Sequence, residues 1–181
     1  MNFIYETDRL ILKVLNQENA SQVLSFYQQN KEVFEKIEPI NAPNFYTLEH
    51  QQAILHYEYE QILRFAMIRF WIFEKEDPDK VIGTICFHDI RRPIFESCVV
   101  GYKIDTAHTG RGYCHEALDA CISIMFGELM LHRIEAYVMP QNLSSIHLLE
   151  VLGFKREGLI HDKVKLNDQW EDHYLYSLIN K

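Results

Sequence analysis

Hydrophobic and polar positions follow two different periods along the chain, and the changes of period mark the predicted elements. Nearly unbroken apolar runs at 65–75, 81–88 and 97–104 predict three strands, and the short turns between them predict an antiparallel meander. From residue 112 to residue 126 the apolar positions recur with the period of a helix. A fourth run at 132–138 then predicts a strand parallel to the third, because a helix connects the two.

Further patterns flank this central region on both sides. Residues 9–15 predict a strand followed by a short helix that Asn16 would cap, and a longer helix is predicted from Thr47 to Leu63. Near the other end, Asn142 would cap a helix that Gly153 ends. Before Thr47, a helical turn is predicted at 31–37, which Pro39 and Pro43 would interrupt. After Gly153, terminal strands are predicted at 154–158, 160–166 and 170–179.

The composition agrees with one α/β domain that spans residues 1–181. The 181 residues are 48% hydrophobic and 24% charged, which is the balance of a chain that buries a core. No apolar run approaches the ~20 residues of a membrane helix, and the first residues lack a signal-peptide pattern. The four cysteines form no CxxC pair and are typical of reduced thiols. We therefore expect a cytoplasmic protein with no membrane partner.

The net charge and the metal-binding residue types narrow the function further. A formal charge of −8 disfavours a nucleic-acid partner, since such a surface needs a basic stripe, and it is compatible with a cationic acceptor such as an amine. Cysteine and histidine residues near the glycine turn raise the alternative of a metal-binding module. The paired spacings of zinc sites are missing, so we expect no metal.

A glycine-rich turn joins the third predicted strand to the helix that follows it. Two glycines flank an arginine in Gly110-Arg111-Gly112, directly before the helical pattern begins. This order places unpaired backbone N–H groups and the positive end of a helix dipole at one spot. Because glycine lets the backbone approach a ligand closely, we predict an anion site here, with phosphate as the usual anion.

Four separated segments resemble one known family, in that family's order. Thr109-Gly-Arg-Gly-Tyr-Cys114 resembles the [Q/R]-x-x-G-x-[G/A] acetyl-CoA signature of the GNAT superfamily of N-acetyltransferases. The segment Asn142–Phe154 resembles the second motif, N-x-x-S followed by G-F. The opening Thr7–Lys13 and the ending Glu157–Tyr174 resemble the branch that acetylates the N-termini of ribosomal proteins. The resemblance therefore covers nearly the whole chain.

The resemblance implies an α/β single-domain GNAT-like fold, with a mixed central β-sheet whose parallel strands 98–104 and 132–138 splay apart, flanked by helices. Acetyl-CoA would be the co-substrate. Thr109 stands where the family has Gln or Arg, and Cys114 where it has Gly or Ala, so affinity for acyl-CoA is where this chain could depart from the family. The residues implied in holding acetyl-CoA are the strand end, the glycine turn and the second-motif asparagine, namely Tyr102, Lys103, Ile104, Thr109, Gly110, Arg111, Gly112, Tyr113, Cys114, His115 and Asn142.

The resemblance also implies direct attack of an amine on the thioester. Many family members carry a helix tyrosine where this chain has Leu149, so Ser145 is the candidate donor to the leaving thiolate; the alternative is a helix serine that satisfies backbone groups. Glu135, in the middle of a predicted strand, is the candidate base, and a structural salt bridge is its alternative. His88 is a further candidate base, and Val164 stands where the ribosomal branch has a glutamate.

The acceptor implied by the overall resemblance is a protein N-terminal amine. Small amines, such as a polyamine, an amino sugar or a drug, are the alternative acceptors. A non-catalytic acyl-CoA sensor with the same fold is the alternative outside the enzymes, because the tyrosine and the glutamate are replaced. Pairing of the terminal strand 170–179 between two copies would give a homodimer, which the sequence leaves open.

Overall fold

A computed structural model describes residues 1–37 and 41–181, apart from the side chain of Ile37. Within these ranges eight strands form one sheet, with five α-helices and two short 3₁₀ turns beside it. The strands are β1 Ile4–Glu6, β2 Leu10–Lys13, β3 Ile68–Glu74, β4 Asp77–Arg91, β5 Ser97–Ile104, β6 Arg133–Val138, β7 Lys155–Leu166 and β8 Gln169–Ile179. The helices are α1 Ala20–Gln29, α2 Lys31–Ile37, α3 Leu48–Leu63, α4 Tyr113–Gly127 and α5 Leu143–Val151, and the 3₁₀ turns are Gln17–Asn19 and Thr106–His108.

The sheet is mixed, in the order β1-β2-β3-β4-β5-β6-β8-β7. Its neighbouring strands are antiparallel except for β5 and β6, which are parallel because α4 connects them. These two strands pair only where Ser97–Val99 faces Arg133–Glu135. Beyond Val99, β5 stays paired with β4 as far as Ile104, so β5 and β6 separate toward their carboxyl ends. The predicted meander and the splayed parallel pair are confirmed.

Alternation along the strands divides the core between the two faces of the sheet. One face packs against α4 and α5, with Ile134 and Ala136 of β6 buried there. The other face packs against α1, α2 and α3 and buries Trp71 and Phe73 of β3. Since neighbours along a strand point to opposite faces, Glu135 lies on the α1–α3 face of the sheet. We call this the acceptor face.

Two strands of the meander, β4 and β5, approach each other closely at Gly83. A Cβ on Gly83 of β4 would lie 2.7 Å from the carbonyl oxygen of Lys103, so no other residue fits there without a shift. The register of β3 and β4 also shifts beside Gly83, because Ile72 pairs with Gly83 and Phe73 with Val81. Gly83 therefore lies both at a close backbone approach and beside a register shift.

Hydrogen bonds confirm the predicted cap at Thr47 and shift the role of Asn16. Thr47 Oγ1 accepts from the N–H of His50 at 3.3 Å. Asn16 Oδ1 accepts from the N–H of Glu18 at 2.9 Å and caps the 3₁₀ turn Gln17–Asn19 that leads into α1, rather than α1 itself. Gly153 follows α5 with φ +87°, the left-handed conformation typical of a residue after a helix. The effect predicted for Pro39 lies outside the described residues. No helix in the described ranges is long and apolar enough to span a membrane.

Several strand limits differ from the prediction. The two predicted strands 154–158 and 160–166 form the single strand β7, Lys155–Leu166, because register irregularities beside Gly158 and Ile160 accommodate the residues between them. The first turn of the meander is Lys75-Glu76, so β4 already begins at Asp77 inside the predicted turn. β1 was not predicted, and β3 begins at Ile68, three residues after the predicted start.

Candidate active site

The glycine turn lies where β5 ends and α4 begins. Gly110 and Gly112 have φ of +74° and +78°, which glycine adopts without strain. The first α-helical hydrogen bond of α4 runs from the N–H of Glu116 to the carbonyl of Gly112. The N–H groups of residues 113–115 therefore precede the helical ladder and are available to an anion at the positive end of the helix dipole.

Thr7 and Arg9 of the N-terminal segment bond to Glu116 and to the glycine turn, and we call these three residues the clamp. The Glu116 carboxylate accepts from Thr7 Oγ1 at 2.6 Å, from the Arg9 backbone N–H at 2.8 Å and from Arg9 Nε at 2.7 Å. Arg9 also donates from Nη1 to the carbonyl of Arg111 at 3.0 Å and lies 4.6 Å from the ring centre of Tyr113. Burial alone would raise the pKa of Glu116, but the hydrogen bonds from Thr7 and Arg9 outweigh it and lower that pKa.

Buried polar groups bond to the residues between the end of β5 and the glycine turn. Asn30 Oδ1 accepts from the N–H of Thr106 at 3.0 Å and from its hydroxyl at 3.2 Å. His108 is buried, with Nδ1 3.0 Å from Asp105 Oδ2 and Nε2 3.4 Å from Glu74 Oε2. These groups give the turn a defined shape before a ligand arrives, which reduces the entropy lost on binding.

The opening between β5 and β6 has free space on the acceptor face. Gly101 lies in the middle of β5, yet it is exposed, and a Cβ built on it would meet no atom within 4 Å. Glu135 and Tyr137 of β6 lie on this face, beside the point where the strands separate. An acceptor molecule could therefore reach the opening from the acceptor face.

Two hydroxyl groups meet on the other face of the opening. Tyr102 of β5 packs against the core that α4 and α5 cover, and its hydroxyl oxygen lies 2.6 Å from Ser145 Oγ. The Ser145 backbone N–H donates to Asn142 Oδ1 at 3.1 Å, which caps α5 as predicted. Burial raises the pKa of Tyr102, against the smaller opposing effect of the Ser145 hydrogen bond.

Glu135 belongs to a charged network on the acceptor face. Its Oε1 accepts from Arg133 Nε at 2.7 Å, and its Oε2 accepts from the Tyr137 hydroxyl at 3.1 Å. Arg133 also donates to both oxygens of Glu157, at 2.8 and 2.6 Å, and these bonds with one from Ser177 lower the pKa of Glu157 to about 2. Glu135 thus lies at the opening, where a base would be needed, and it is also ion-paired, as the structural alternative requires.

The other predicted residues fall into distinct groups. The turn residues 109–115 lie together at the start of α4, and Thr109 Oγ1 donates to the carbonyl of Thr106 at 2.9 Å. Lys103 points to the acceptor face, with Nζ 5.2 Å from the ring centre of Tyr27, whereas Ile104 packs on the α4–α5 side. Burial raises the pKa of the Cys114 thiol to about 12, which lowers the fraction of reactive thiolate near neutral pH.

Sequence reasoning missed the clamp residues Thr7, Arg9 and Glu116. A carboxylate in the first turn, such as Glu116, is favourable beside the positive end of a helix dipole, so the sequence could indicate it. Its partners Thr7 and Arg9 lie more than one hundred residues away in the chain, so the sequence could not indicate them. His88, a further candidate base, is exposed and lies 3.1 Å from Asp89. Within residues 1–37 and 41–181, no group of three or more His, Cys, Asp or Glu side chains could hold a metal ion.

Comparisons with known proteins agree with this geometry. A family model described as an acetyltransferase (GNAT) domain matches residues 9–155. The chain is 36% identical over 171 residues to the probable N-acetyltransferase YjcK of Bacillus subtilis strain 168, and the match covers 94% of each chain. It is 31% identical over 172 residues to the ribosomal protein uS5-alanine N-acetyltransferase of Escherichia coli K12, with 95% of this chain and 88% of that protein covered.

The fold is also that of solved acetyltransferase structures. The ribosomal-protein-S5-alanine acetyltransferase from Vibrio fischeri superposes with a TM-score of 0.94 and 29% identity, covering 99% of this chain and 98% of that one. Other structures with the same fold contain coenzyme A or acetyl-CoA.

Proposed function

The chain belongs to the GNAT acetyltransferase family, and we propose that its acceptor is the N-terminal α-amine of a protein. Members of this family transfer an acetyl group from acetyl-CoA, and this chain is an acetyl-CoA-dependent N-acetyltransferase. The observation that carries the choice of acceptor is the 31% identity to a ribosomal-protein alanine N-acetyltransferase over 95% of the chain. The match extends over nearly the whole chain and is not limited to the glycine turn.

Charges on the acceptor face favour this acceptor over a polyamine. Glu135 is paired with Arg133, and Glu58 is paired with Arg69 at 2.9 Å. Lys163 lies over the ring of Tyr137, 4.4 Å from its centre. A polyamine with several positive charges would meet carboxylates that arginines already neutralise and a lysine of its own sign. A peptide N-terminus presents only one amine and is affected less.

The proposed chemistry assigns separate tasks to the two sides of the opening. The N–H groups of residues 113–115 hold the pyrophosphate of acetyl-CoA, and the backbone of Tyr102–Ile104, beyond the last rung with β6, lies beside the pantetheine. The amine enters past Gly101 and attacks the thioester carbon. Alignment of the two reactants can contribute ~7–11 kcal/mol in favourable intramolecular models. Ser145 donates a hydrogen bond to the leaving sulfur.

Glu135 is the carboxylate proposed to receive the proton that the amine releases. Its position beside the opening on the acceptor face supports this role. Its ion pair with Arg133 favours the competing route, in which water receives the proton and Glu135 only orders that water. A general base contributes typically ~10²–10⁴-fold in rate, so the two routes differ measurably in a Glu135→Gln variant.

An acceptor screen with labelled acetyl-CoA tests the proposal. The panel contains peptides with a free N-terminal alanine or serine, the same peptides with a blocked N-terminus and an internal lysine, spermidine and an amino sugar. We expect label on the free N-termini only. A higher kcat/KM for spermidine or the amino sugar would overturn the choice of acceptor. Tight acetyl-CoA binding without label on any acceptor would instead support a sensor.

A further inference from the structure

The hydroxyl pair formed by Tyr102 and Ser145 joins one arm of the opening to helix α5. Tyr102 is three residues beyond Val99, where the pairing of β5 with β6 ends. Its hydroxyl oxygen lies 2.6 Å from Ser145 Oγ and 3.5 Å from the Ser145 carbonyl oxygen. The pair is partly buried and lies on the α4–α5 face, opposite to Glu135.

Chemistry decides the direction of this hydrogen bond. A phenol, with an ordinary pKa of ~10, is a stronger acid and a better donor than the alkyl hydroxyl of serine. Either oxygen can donate at 2.6 Å, and the greater acidity of the phenol favours the arrangement in which Tyr102 donates and Ser145 Oγ accepts. Burial raises the pKa of Tyr102 further, so the phenol keeps its proton and its donor role over the working pH range.

This bond determines where the hydrogen of Ser145 points. Two other helix serines donate to the carbonyl four residues back: Ser25 to Ser21 at 2.9 Å and Ser123 to Asp119 at 3.1 Å. Ser145 is the third residue of α5, and the residue four back, Gln141, precedes the N-cap. With its oxygen engaged by Tyr102, the Ser145 hydrogen is free to point into the opening.

We propose that Tyr102 is the positioning residue of the leaving-group site, because its phenol donates to Ser145 Oγ and directs the Ser145 O–H at the thioester sulfur. The inference rests on the proposed role of Ser145. In the reaction the new C–N bond forms, and the C–S bond breaks with its electron pair moving onto sulfur. Ser145 donates a hydrogen bond to that thiolate, while the proton that the attacking amine releases passes to Glu135 or to water, and the thiolate of coenzyme A takes its proton from solvent. Tyr102 remains protonated throughout.

A double-mutant cycle tests this arrangement. Tyr102→Phe keeps the ring and removes the donor, and Ser145→Ala removes the acceptor. We expect each single change to lower kcat by roughly tenfold or more, with the KM for acetyl-CoA changed less than about twofold. Because both act through one hydroxyl, the double variant should be no slower than the slower single variant.

Two further variants distinguish positioning from a general loss of structure. Tyr176→Phe removes another tyrosine hydroxyl from the same core, one that donates to Glu150 Oε1 at 3.0 Å, and it should leave kcat unchanged. Ser145→Thr keeps a hydroxyl for Tyr102 to bind and should retain more activity than Ser145→Ala. That advantage should disappear when Tyr102 is phenylalanine. Thermal unfolding of each variant verifies that it is folded.

Losses that multiply in the double variant, or an unchanged kcat in Tyr102→Phe, would overturn the positioning role. An unchanged kcat in Ser145→Ala would overturn it as well, since Tyr102 would then have no catalytic hydroxyl to direct. Neither result affects the choice of acceptor, because the peptide and polyamine screen uses the unaltered protein. The two proposals can therefore fail separately.

Discussion

Replacing Glu116 by glutamine tests whether the N-terminal segment shapes the glycine turn. Glutamine keeps one acceptor oxygen and places an N–H₂ donor where Arg9 Nε now donates, so the bond at 2.7 Å is lost and the charge with it. A hydrogen bond to a charged group contributes about 1.5–3 kcal/mol, and an exposed ion pair less than about 1 kcal/mol. Half of the Arg9 side chain is exposed, so we expect a loss of about 1–2 kcal/mol of folding stability.

The same substitution should weaken the binding of coenzyme A. Arg9 also bonds the carbonyl of Arg111, so releasing Arg9 loosens the turn whose N–H groups are proposed to bind the pyrophosphate. We expect the Kd to rise by about tenfold, which corresponds to ~1.4 kcal/mol. Titration calorimetry with coenzyme A measures this change, and thermal unfolding measures the stability loss, at about 2–8 °C in Tm.

Asp119→Asn is the matched control for the loss of charge. Asp119 lies one turn further along α4 and lines the same cleft, of about 580 Å³, as Arg9 and Glu116. Removing a negative charge near a phosphate site should by itself favour an anionic ligand. Weaker binding in Glu116→Gln, with equal or tighter binding in Asp119→Asn, therefore isolates the clamp. Equal Kd values in the unaltered protein and in Glu116→Gln would refute the reasoning.

The pH dependence of stability supplies a second measurement on Glu116. Its pKa is lowered in the folded protein, so its contribution is fully present above the unfolded value of ~4.3. The contribution is lost as the pH falls through the lowered folded pKa. The stability difference between the unaltered protein and Glu116→Gln should therefore be largest near neutral pH and shrink below about pH 4.

Further predictions concern other parts of the site. Gly112→Ala should raise the KM for acetyl-CoA and cost about 1–2 kcal/mol in thermal or urea unfolding, since Gly112 has φ +78°; an unchanged KM would contradict its proposed place at the pyrophosphate. Glu135→Gln should lower kcat more than Glu157→Gln, because both lose a bond to Arg133 but only Glu135 borders the opening; equal losses in steady-state kinetics would leave Glu135 a structural role. Cys114 should react with iodoacetamide at pH 7 more slowly in the folded than in the unfolded protein, since it is half-buried and its pKa is raised; equally rapid labelling of both, measured by mass spectrometry, would contradict the raised pKa.

Local patterns predicted the elements whose causes are local. The helix caps Asn16, Thr47 and Asn142 hydrogen-bond within two or three residues, so their roles can be inferred from a short stretch of sequence. The strand, turn and helix around Gly112 were predictable for the same reason. The parallel pairing of β5 and β6 also followed, because a helical connection between two strands permits little else.

Features that depend on distant partners were not predictable from one sequence. Glu116 is bonded to Thr7 and Arg9, which are 109 and 107 residues away. β1 has only three residues and a mostly exposed pattern, so its pairing with β2 and not its own periodicity makes it a strand. Glycine is typical of a strand end, but at Gly158 the pairing with the long strand β8 continues β7 beyond this residue. In each case the determining contact is tertiary.

The alternation of strand residues assigns the two halves of the proposed reaction to opposite faces of the sheet. On β5, Gly101 leaves space on the acceptor face, while its neighbour Tyr102 points to α5 and reaches Ser145. On β6, Glu135 lies on the acceptor face between residues buried on the other. A thioester held in the opening would therefore meet the amine from one face and lose its sulfur toward the other. In the tetrahedral intermediate the attacking nitrogen and the leaving sulfur are separate substituents of one carbon. A split sheet with unlike faces can therefore contact each of them, which suits the proposed direct transfer without an acetylated side chain between them.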